Sequence, residues 1–335
     1  MSPSRRHLIV SAFAWPPMAL WGCAQQGSSP ASSSAAPDAA MNMRTIALPD
    51  GRSAEVALAG DPRGFPLVLH HGTPGDATTF ADWHAPCAAR GLRLICMSRA
   101  GYAASTRLPG RSVAHVAGDI SAVLDALGHS RFVTAGWSGG GPHALACAAR
   151  LPARCVAAAT LAGVGPYRVD DLDFLAGMGQ ENIEEFGAAL KGEAVLRQWL
   201  LDNGASLRRV TGAQLADAFG DLVAPVDKAV LVGGYADDLA AVFRRALAPG
   251  FDGWIDDDLA FTKDWGFRLD EIRTPVAVWQ GELDRMVPFS HGRWLLRHVP
   301  GAQAHLVAGH GHLSLVARHR EEILDDLLTR ARTAA

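Results

Sequence analysis

The chain of 335 residues is poor in cysteine, and its five cysteines form no pattern that chemistry would need. Cys23, Cys87, Cys96, Cys147 and Cys155 include no C-x-x-C pair and no Cys/His spacing suited to a metal. Cys96, Cys147 and Cys155 lie in apolar stretches and read as small buried residues rather than disulfide partners. No uninterrupted apolar run reaches about 18 residues, so no transmembrane span is expected in the body of the chain. There is no Lys/Arg run, and the formal net charge is -3, which argues against an electrostatic nucleic-acid binder. What is present is 49% apolar and 19% charged residues, the balance of a globular protein long enough to bury a sizeable core.

Residues 1–42 read as a segment apart from the fold. Arg5-Arg6 precede an apolar stretch that ends near Trp21-Gly22-Cys23, and a Ser/Ala/Pro-rich run follows to Ala40. Paired arginines before an apolar segment resemble a twin-arginine export signal, with Cys23 as a lipid-attachment candidate. The competing reading is a cytoplasmic protein whose true start is Met41 or Met43. In either case the Ser/Ala/Pro run is a flexible linker.

From Met43 the pattern becomes that of an α/β protein. A hairpin is expected over Arg44–Leu48 and Ser53–Leu58, turning at Pro49-Asp50-Gly51. Buried strands are expected at Pro66–His70, Leu92–Met97, Arg131–Ala135 and Cys155–Leu161, alternating with helices over 77–90, 112–127 and 141–151. That alternation implies a mostly parallel sheet with right-handed crossovers. From about 167 to 267 the pattern is helical, with separate helices expected over 183–203, 211–222 and 235–247. So long an excursion is a domain-like insertion rather than a loop. The sheet resumes at Pro275–Trp279 and ends with a strand over 304–307 and a helix over 313–330. The expected organisation is therefore core over 43–166, helical cap over 167–267 and core again over 268–335.

The chemistry centres on Gly136-Trp137-Ser138-Gly139-Gly140, a G-x-S-x-G match between an apolar strand and a helix. In that setting a strained turn lifts a serine hydroxyl above the sheet, and Gly136 and Gly140 let the two backbones approach. A serine hydroxyl needs a base, and the base an orienting acid. The order along the chain should be Ser, then Asp or Glu, then His. Asp284, just past the resumed strand, is the expected acid, with Glu282 as the alternative. His312, on the loop after the last strand, is the expected base, with His310 beside it. Gly139 should supply one oxyanion N–H, and His71-Gly72-Thr73-Pro74-Gly75 the other. Pro74 has no N–H, so Thr73 is the expected donor, with Gly72 giving close approach. Trp137 should pack near the pocket. No metal and no cofactor is expected, and the expected partner is a small-molecule ester or acyl substrate.

Four motifs in this order, HGTPG (71–75), GWSGGG (136–141), QGELDRMVP (280–288) and GHLSL (311–315), resemble those of the α/β-hydrolase superfamily. The resemblance spans Met43 to Arg330. It is strongest to the capped group of proline iminopeptidases, perhydrolases, epoxide hydrolases and haloalkane dehalogenases. Serine at 138 disfavours the last two, which use aspartate there. Many relatives carry D-x-P-G-x-G-x-S where this chain reads Ser98-Arg99-Ala100-Gly101-Tyr102-Ala103-Ala104-Ser105, a departure expected to touch a structural loop only. The resemblance implies a serine hydrolase working through Ser138, His312 and Asp284. Its alternatives are an aminopeptidase holding a free amine with Glu181, Glu184 or Glu185, and a binding protein that lost turnover. Acidic residues on a helix more often form a solvated face. Trp254, Phe261, Trp265 and Phe267 line the pocket or form the cap's own core, the latter being favoured.

Overall fold

The computed structural model describes residues 41–333. The export-like segment and Cys23 lie outside that range, apart from Met41 and Asn42; Met41 is buried in the core and Asn42 opens the first strand. The chain runs β1 (Asn42–Ala47), β2 (Ser53–Gly60), β3 (Phe65–His70), α1 (His84–Ala89), β4 (Leu92–Met97), α2 (His115–Ala126), β5 (Phe132–Trp137), α3 (Gly140–Arg150) and β6 (Cys155–Leu161). Helices alone follow, α4 (Gln180–Ala189), α5 (Glu193–Asn203), α6 (Gly212–Ala218), α7 (Pro225–Lys228), α8 (Gly233–Ala246) and α9 (Asp252–Phe261). The sheet resumes with β7 (Val276–Gly281), α10 (Phe289–His298), β8 (Gln303–Val307) and α11 (His312–Thr333).

The eight strands lie in the order β1-β2-β4-β3-β5-β6-β7-β8, with the β1–β2 and β2–β4 pairs antiparallel and the remaining pairs parallel. Period-two alternation sends each strand's side chains to opposite faces. Leu67 and Leu69 of β3 pack with α11, whereas Val68 packs on the face covered by α2, α3 and α10. Both faces are covered, and so the central strands read as continuous apolar runs.

The structure differs from expectation where local polar chemistry competes with a helix. The helix expected over 77–90 is confined to His84–Ala89 behind a short 3-10 turn at Ala81–Trp83. Asp76 accepts from the backbone N–H and hydroxyl of Thr78 at 2.8 and 2.7 Å, and Thr79 donates to the Asp76 carbonyl at 2.8 Å. Such side-chain bonds offer the backbone an alternative to the helix. The stretch 183–203 is two helices, broken at Gly192 with φ 105°. Helices α7 and α9 had no counterpart in the expected pattern.

The elbow is held by steric necessity. A Cβ on Gly136 would lie 1.9 Å from the Gly140 carbonyl oxygen, and one on Gly140 would lie 2.2 Å from that of His70. Backbone atoms cannot move aside as a side chain can. Gly136→Ala is therefore expected to destabilise the fold by about 3 kcal/mol, the upper end of ordinary overpacking. A urea midpoint unchanged from the native protein would contradict this.

Candidate active site

Ser138 sits between β5 and α3 with φ 56°, a strained value for a residue with a Cβ. Its N–H bonds the Leu161 carbonyl at 2.9 Å, and its own carbonyl accepts from Gly141 at 2.9 Å, opening α3. The side chain is partly open to a cavity of about 530 Å³ that His312 also lines.

His312 is the first residue of α11 and is buried. Its Nδ1 lies 2.8 Å from Asp284 Oδ2. Asp284 Oδ1 accepts from the Met286 and Val287 N–H groups at 2.9 and 2.8 Å, and Gln280 Nε2 donates to Oδ2 at 3.2 Å. Burial raises the Asp284 carboxyl above its ordinary value, opposed by His312 and the Val287 N–H. With a carboxylate on Nδ1, that nitrogen carries the proton and Nε2 is the free lone pair. Trp137 also lines the cavity, its ring centroid 5.4 Å from that of His312 and its Nε1 3.4 Å from the His312 carbonyl. Glu282 is exposed, and His310 is half-buried with its Nδ1 at the Ala308 carbonyl and its ring against His319. Neither lines the cavity.

The Thr73 and Gly139 segments meet beside Ser138. A Cβ on Gly139 would fall 2.3 Å from Thr73 Oγ1, so the Thr73 side chain lies directly against the Gly139 backbone. Among the described residues, neither the Thr73 nor the Gly139 N–H is used in a hydrogen bond. One expectation needs correcting. A Cβ on Gly72 would meet Ser138 Cβ at 3.5 Å, an ordinary contact, so crowding does not demand glycine there; the added methyl would instead stand over the serine. His71, Gly136 and Gly140 do not line the cavity. His71 is kept neutral by burial and by Arg99, accepts the Arg99 N–H on Nε2 at 3.0 Å and so donates from Nδ1 to the Gly72 carbonyl at 2.7 Å.

Behind this loop lies a charged cluster that the sequence reading missed. Arg99, placed by the segment that departs from D-x-P-G-x-G-x-S, is buried under the loop. It donates to the His71 carbonyl at 2.5 Å, the Gly72 carbonyl at 2.8 Å and Thr73 Oγ1 at 3.1 Å. Its partner is Asp257 of α9 at 2.6 Å, which also accepts from Thr73 Oγ1 and Tyr102 and pairs with Arg111 at 2.7 Å. Burial pushes Asp257 up, but Arg99, Arg111 and His143 prevail and hold it well below the usual carboxylate range. The departure at 98–105 thus does more than shape a distant loop. It anchors the segment that carries Thr73.

The cavity is acidic over part of its lining. Glu181, Glu184, Glu185, Asp221 and Asp258 line it, and no Lys or Arg does among the described residues. Glu184 is exposed and Glu181 half-buried, but Glu185 is buried, contrary to a solvated face. Trp254 Nε1 donates to Glu185 at 2.5 Å, while Asp258 Oδ2 is buried with no partner. Burial pushes Glu185 up to about 7, and burial with the Glu185 charge raises Asp258 well above its ordinary value. Trp254 and Phe261 line the cavity, whereas Trp265 is buried in the core with the half-buried Phe267 tilted against it. Among the described residues no group of three or more His, Cys, Asp or Glu is placed to hold a metal, and no helix is long and apolar enough to cross a membrane.

The strand order, the elbow and the helical excursion between β6 and β7 define an α/β-hydrolase fold. A family model for the alpha/beta hydrolase fold matches residues 66–191. It is 28% identical over 235 residues, 68% of this chain and 78% of the relative, to a bifunctional esterase/perhydrolase from Acinetobacter calcoaceticus. It is also 28% identical, over 73% of its length and 80% of the relative's, to a 2-hydroxy-6-oxononadienedioate/2-hydroxy-6-oxononatrienedioate hydrolase from Burkholderia vietnamiensis. A bromoperoxidase from Bacillus anthracis shares the fold with TM-score 0.65 at 21% identity, over 87% of this chain and 99% of that one. The chain is a hydrolase.

Two outcomes follow from the buried charges. Asp257→Ala strands Arg99 and Arg111 without a counter-charge and should lower stability by about 3–5 kcal/mol in chemical denaturation. Glu185 has a raised folded pKa, so the folded state holds its proton more tightly than the unfolded chain does. Its contribution is complete below its ordinary 4.5 and is lost as pH rises through about 7. Stability should therefore fall between about pH 5 and about pH 8, with a shallower slope in Glu185→Gln. Parallel slopes for the two proteins would refute the assignment.

Proposed function

We propose that this hydrolase is a serine enzyme that cleaves an ester or related acyl bond through Ser138, His312 and Asp284. The observation that carries the reading is the buried 2.8 Å contact between His312 Nδ1 and Asp284, with His312 and the strained Ser138 facing one cavity. His312 Nε2 takes the proton of Ser138 as Oγ attacks the carbonyl, and Asp284 stabilises the imidazolium. The unspent N–H groups of Thr73 and Gly139 stabilise the tetrahedral oxyanion. The imidazolium then protonates the leaving group. Water, activated by the same histidine, attacks the acyl-enzyme and restores Ser138. Residues 43–166 and 268–335 form the core in this reading, and 167–267 the cap that shapes the pocket.

A second reading, aminopeptidase action, is favoured by one observation: among the described residues the cavity carries five carboxyl side chains and no Lys or Arg. That field suits a substrate bearing an amine or hydrogen-bond donors. It suits poorly a dianion such as the one for which the Burkholderia relative is named.

The test is turnover of p-nitrophenyl esters and of proline p-nitroanilide by native protein and by Ser138→Ala. Ester turnover should fall by a factor on the order of 10⁴ to 10⁶ in the variant. Selective cleavage of the anilide would favour the aminopeptidase. Undiminished ester turnover in Ser138→Ala, or no labelling of the native protein by a fluorophosphonate, would overturn the serine mechanism.

A further inference from the structure

Helix α11 begins at His312 with three backbone N–H groups that have no partner within the helix. The usual solution is a polar side chain one residue earlier, but that residue is Gly311. The acceptor comes instead from α7, 85 residues away in sequence. Asp227 Oδ2 accepts the His312 N–H at 2.9 Å. Its Oδ1 accepts the Leu313 N–H at 3.0 Å, the Ser314 N–H at 2.8 Å and the Ser314 hydroxyl at 2.8 Å. Ser314 Oγ in turn accepts the Gly311 N–H at 2.9 Å. Asp227 is wholly buried. A Cβ on Gly311 would lie 2.2 Å from Asp227 Oδ2, so a local capping residue and this carboxylate exclude each other.

Asp227 does not line the cavity, so it has no part in substrate contact. Its bonds fall on the backbone of the base itself and of the two residues after it. The carboxylate also meets the positive end of the helix dipole, which fixes α11 in rotation and along its axis. Leu222, Val223 and Leu231, on either side of α7, pack in the same apolar cluster as Leu313, Leu315 and Val316. The clamp is thus seated by packing as well as by hydrogen bonds.

We propose that Asp227 is a positioning residue for His312, by which the helical segment between β6 and β7 holds the base in register with Ser138 and Asp284. The inference rests on the serine-hydrolase reading. Removing the clamp frees the first turn of α11, which carries only His312 and Leu313 of the cavity lining, so catalysis suffers far more than substrate binding.

The test compares native protein, Asp227→Asn and Ser314→Ala. Asparagine keeps the shape of Asp227 but offers one acceptor oxygen and sets an amide NH₂ against N–H donors. In Asp227→Asn, kcat on the best ester should fall about 100-fold, the scale of an ångström's misplacement, with KM within about threefold. Fluorophosphonate labelling of Ser138 should slow in parallel, and the amides of residues 312–314 should lose protection from hydrogen exchange. A merely structural role would lower the unfolding midpoint without that split between kcat and KM in the folded enzyme. Should Asp227→Asn fail to fold, Ser314→Ala decides, because it removes one bond to the carboxylate, together with the acceptor of the Gly311 N–H, and leaves the carboxylate in place. It should show a smaller kcat loss with KM unchanged and faster exchange at 312–314. A folded Asp227→Asn with kcat within about twofold of native, or with full protection at 312–314, overturns the role of Asp227 alone. So does an unchanged Ser314→Ala. A native protein with neither Ser138-dependent turnover nor labelling overturns the serine mechanism itself and the catalytic role of Asp227 with it.

Discussion

A guanidinium shut away from water must find partners for its donors and a counter-charge, and the segment around Ser138 is built on that demand. Arg99 meets it with two loop carbonyls, Thr73 Oγ1 and Asp257. One side chain therefore ties the end of β4, the loop after β3 and helix α9 into a single piece. The loop carries the Thr73 N–H, which on the proposed mechanism must be aimed before the reaction begins. A Gly/Pro-rich loop has no stiffness of its own, and Arg99 supplies it. Because Asp257 also answers Arg111 and Tyr102, the arrangement has no cheaper alternative partner nearby.

The helical stretch between β6 and β7 thereby does more than cover a cavity. It contributes two buried carboxylates that reach different segments of the site. Asp257 holds the loop bearing Thr73, and Asp227 holds the start of α11. Glycine makes room in both places: a Cβ on Gly101 would strike Gly253 of α9 at 2.8 Å, as one on Gly311 would strike Asp227. Core and helical stretch were shaped against each other, with backbone yielding to the incoming element.

The parts legible in the sequence were those whose chemistry is local. A strand, a tight glycine turn and a helix announce themselves within ten residues, and so the elbow, the parallel strands and the placement of Asp284 and His312 after β7 and β8 could be read directly. The Asp257 and Asp227 contacts could not. Asp256-Asp257-Asp258 has the look of a hydrated helix face, and nothing local says that an arginine 158 residues earlier lies beneath it. The one usable signal was Arg99 itself, a charge at a place where the superfamily's common pattern differs. Asp227 gave no signal, because a four-residue helix has no period to detect. Gly311 was a clue of another kind: a helix start with no capping side chain of its own must borrow one.

Asp257 and Asp258 show how far a single peptide unit can separate two fates. The first faces Arg99 and Arg111 and is held ionised; the second faces Glu185 across the cavity wall with no cation near enough to prevail, and burial drives it toward the neutral acid. Successive residues on a helix point about 100° apart, which is enough to send one carboxyl into the scaffold and the next to the pocket. The cavity is consequently polarised. One part of its lining offers the N–H donors of Thr73 and Gly139, and another offers carboxyls able to hydrogen-bond a substrate. On the proposed mechanism the substrate's carbonyl oxygen lies at the donors and a hydrogen-bonding group of the substrate meets Glu185 and Asp258. Whatever the leaving group is, the groups that choose a substrate and the dipoles that stabilise its transition state are different residues, so substrate choice and chemistry can be altered separately.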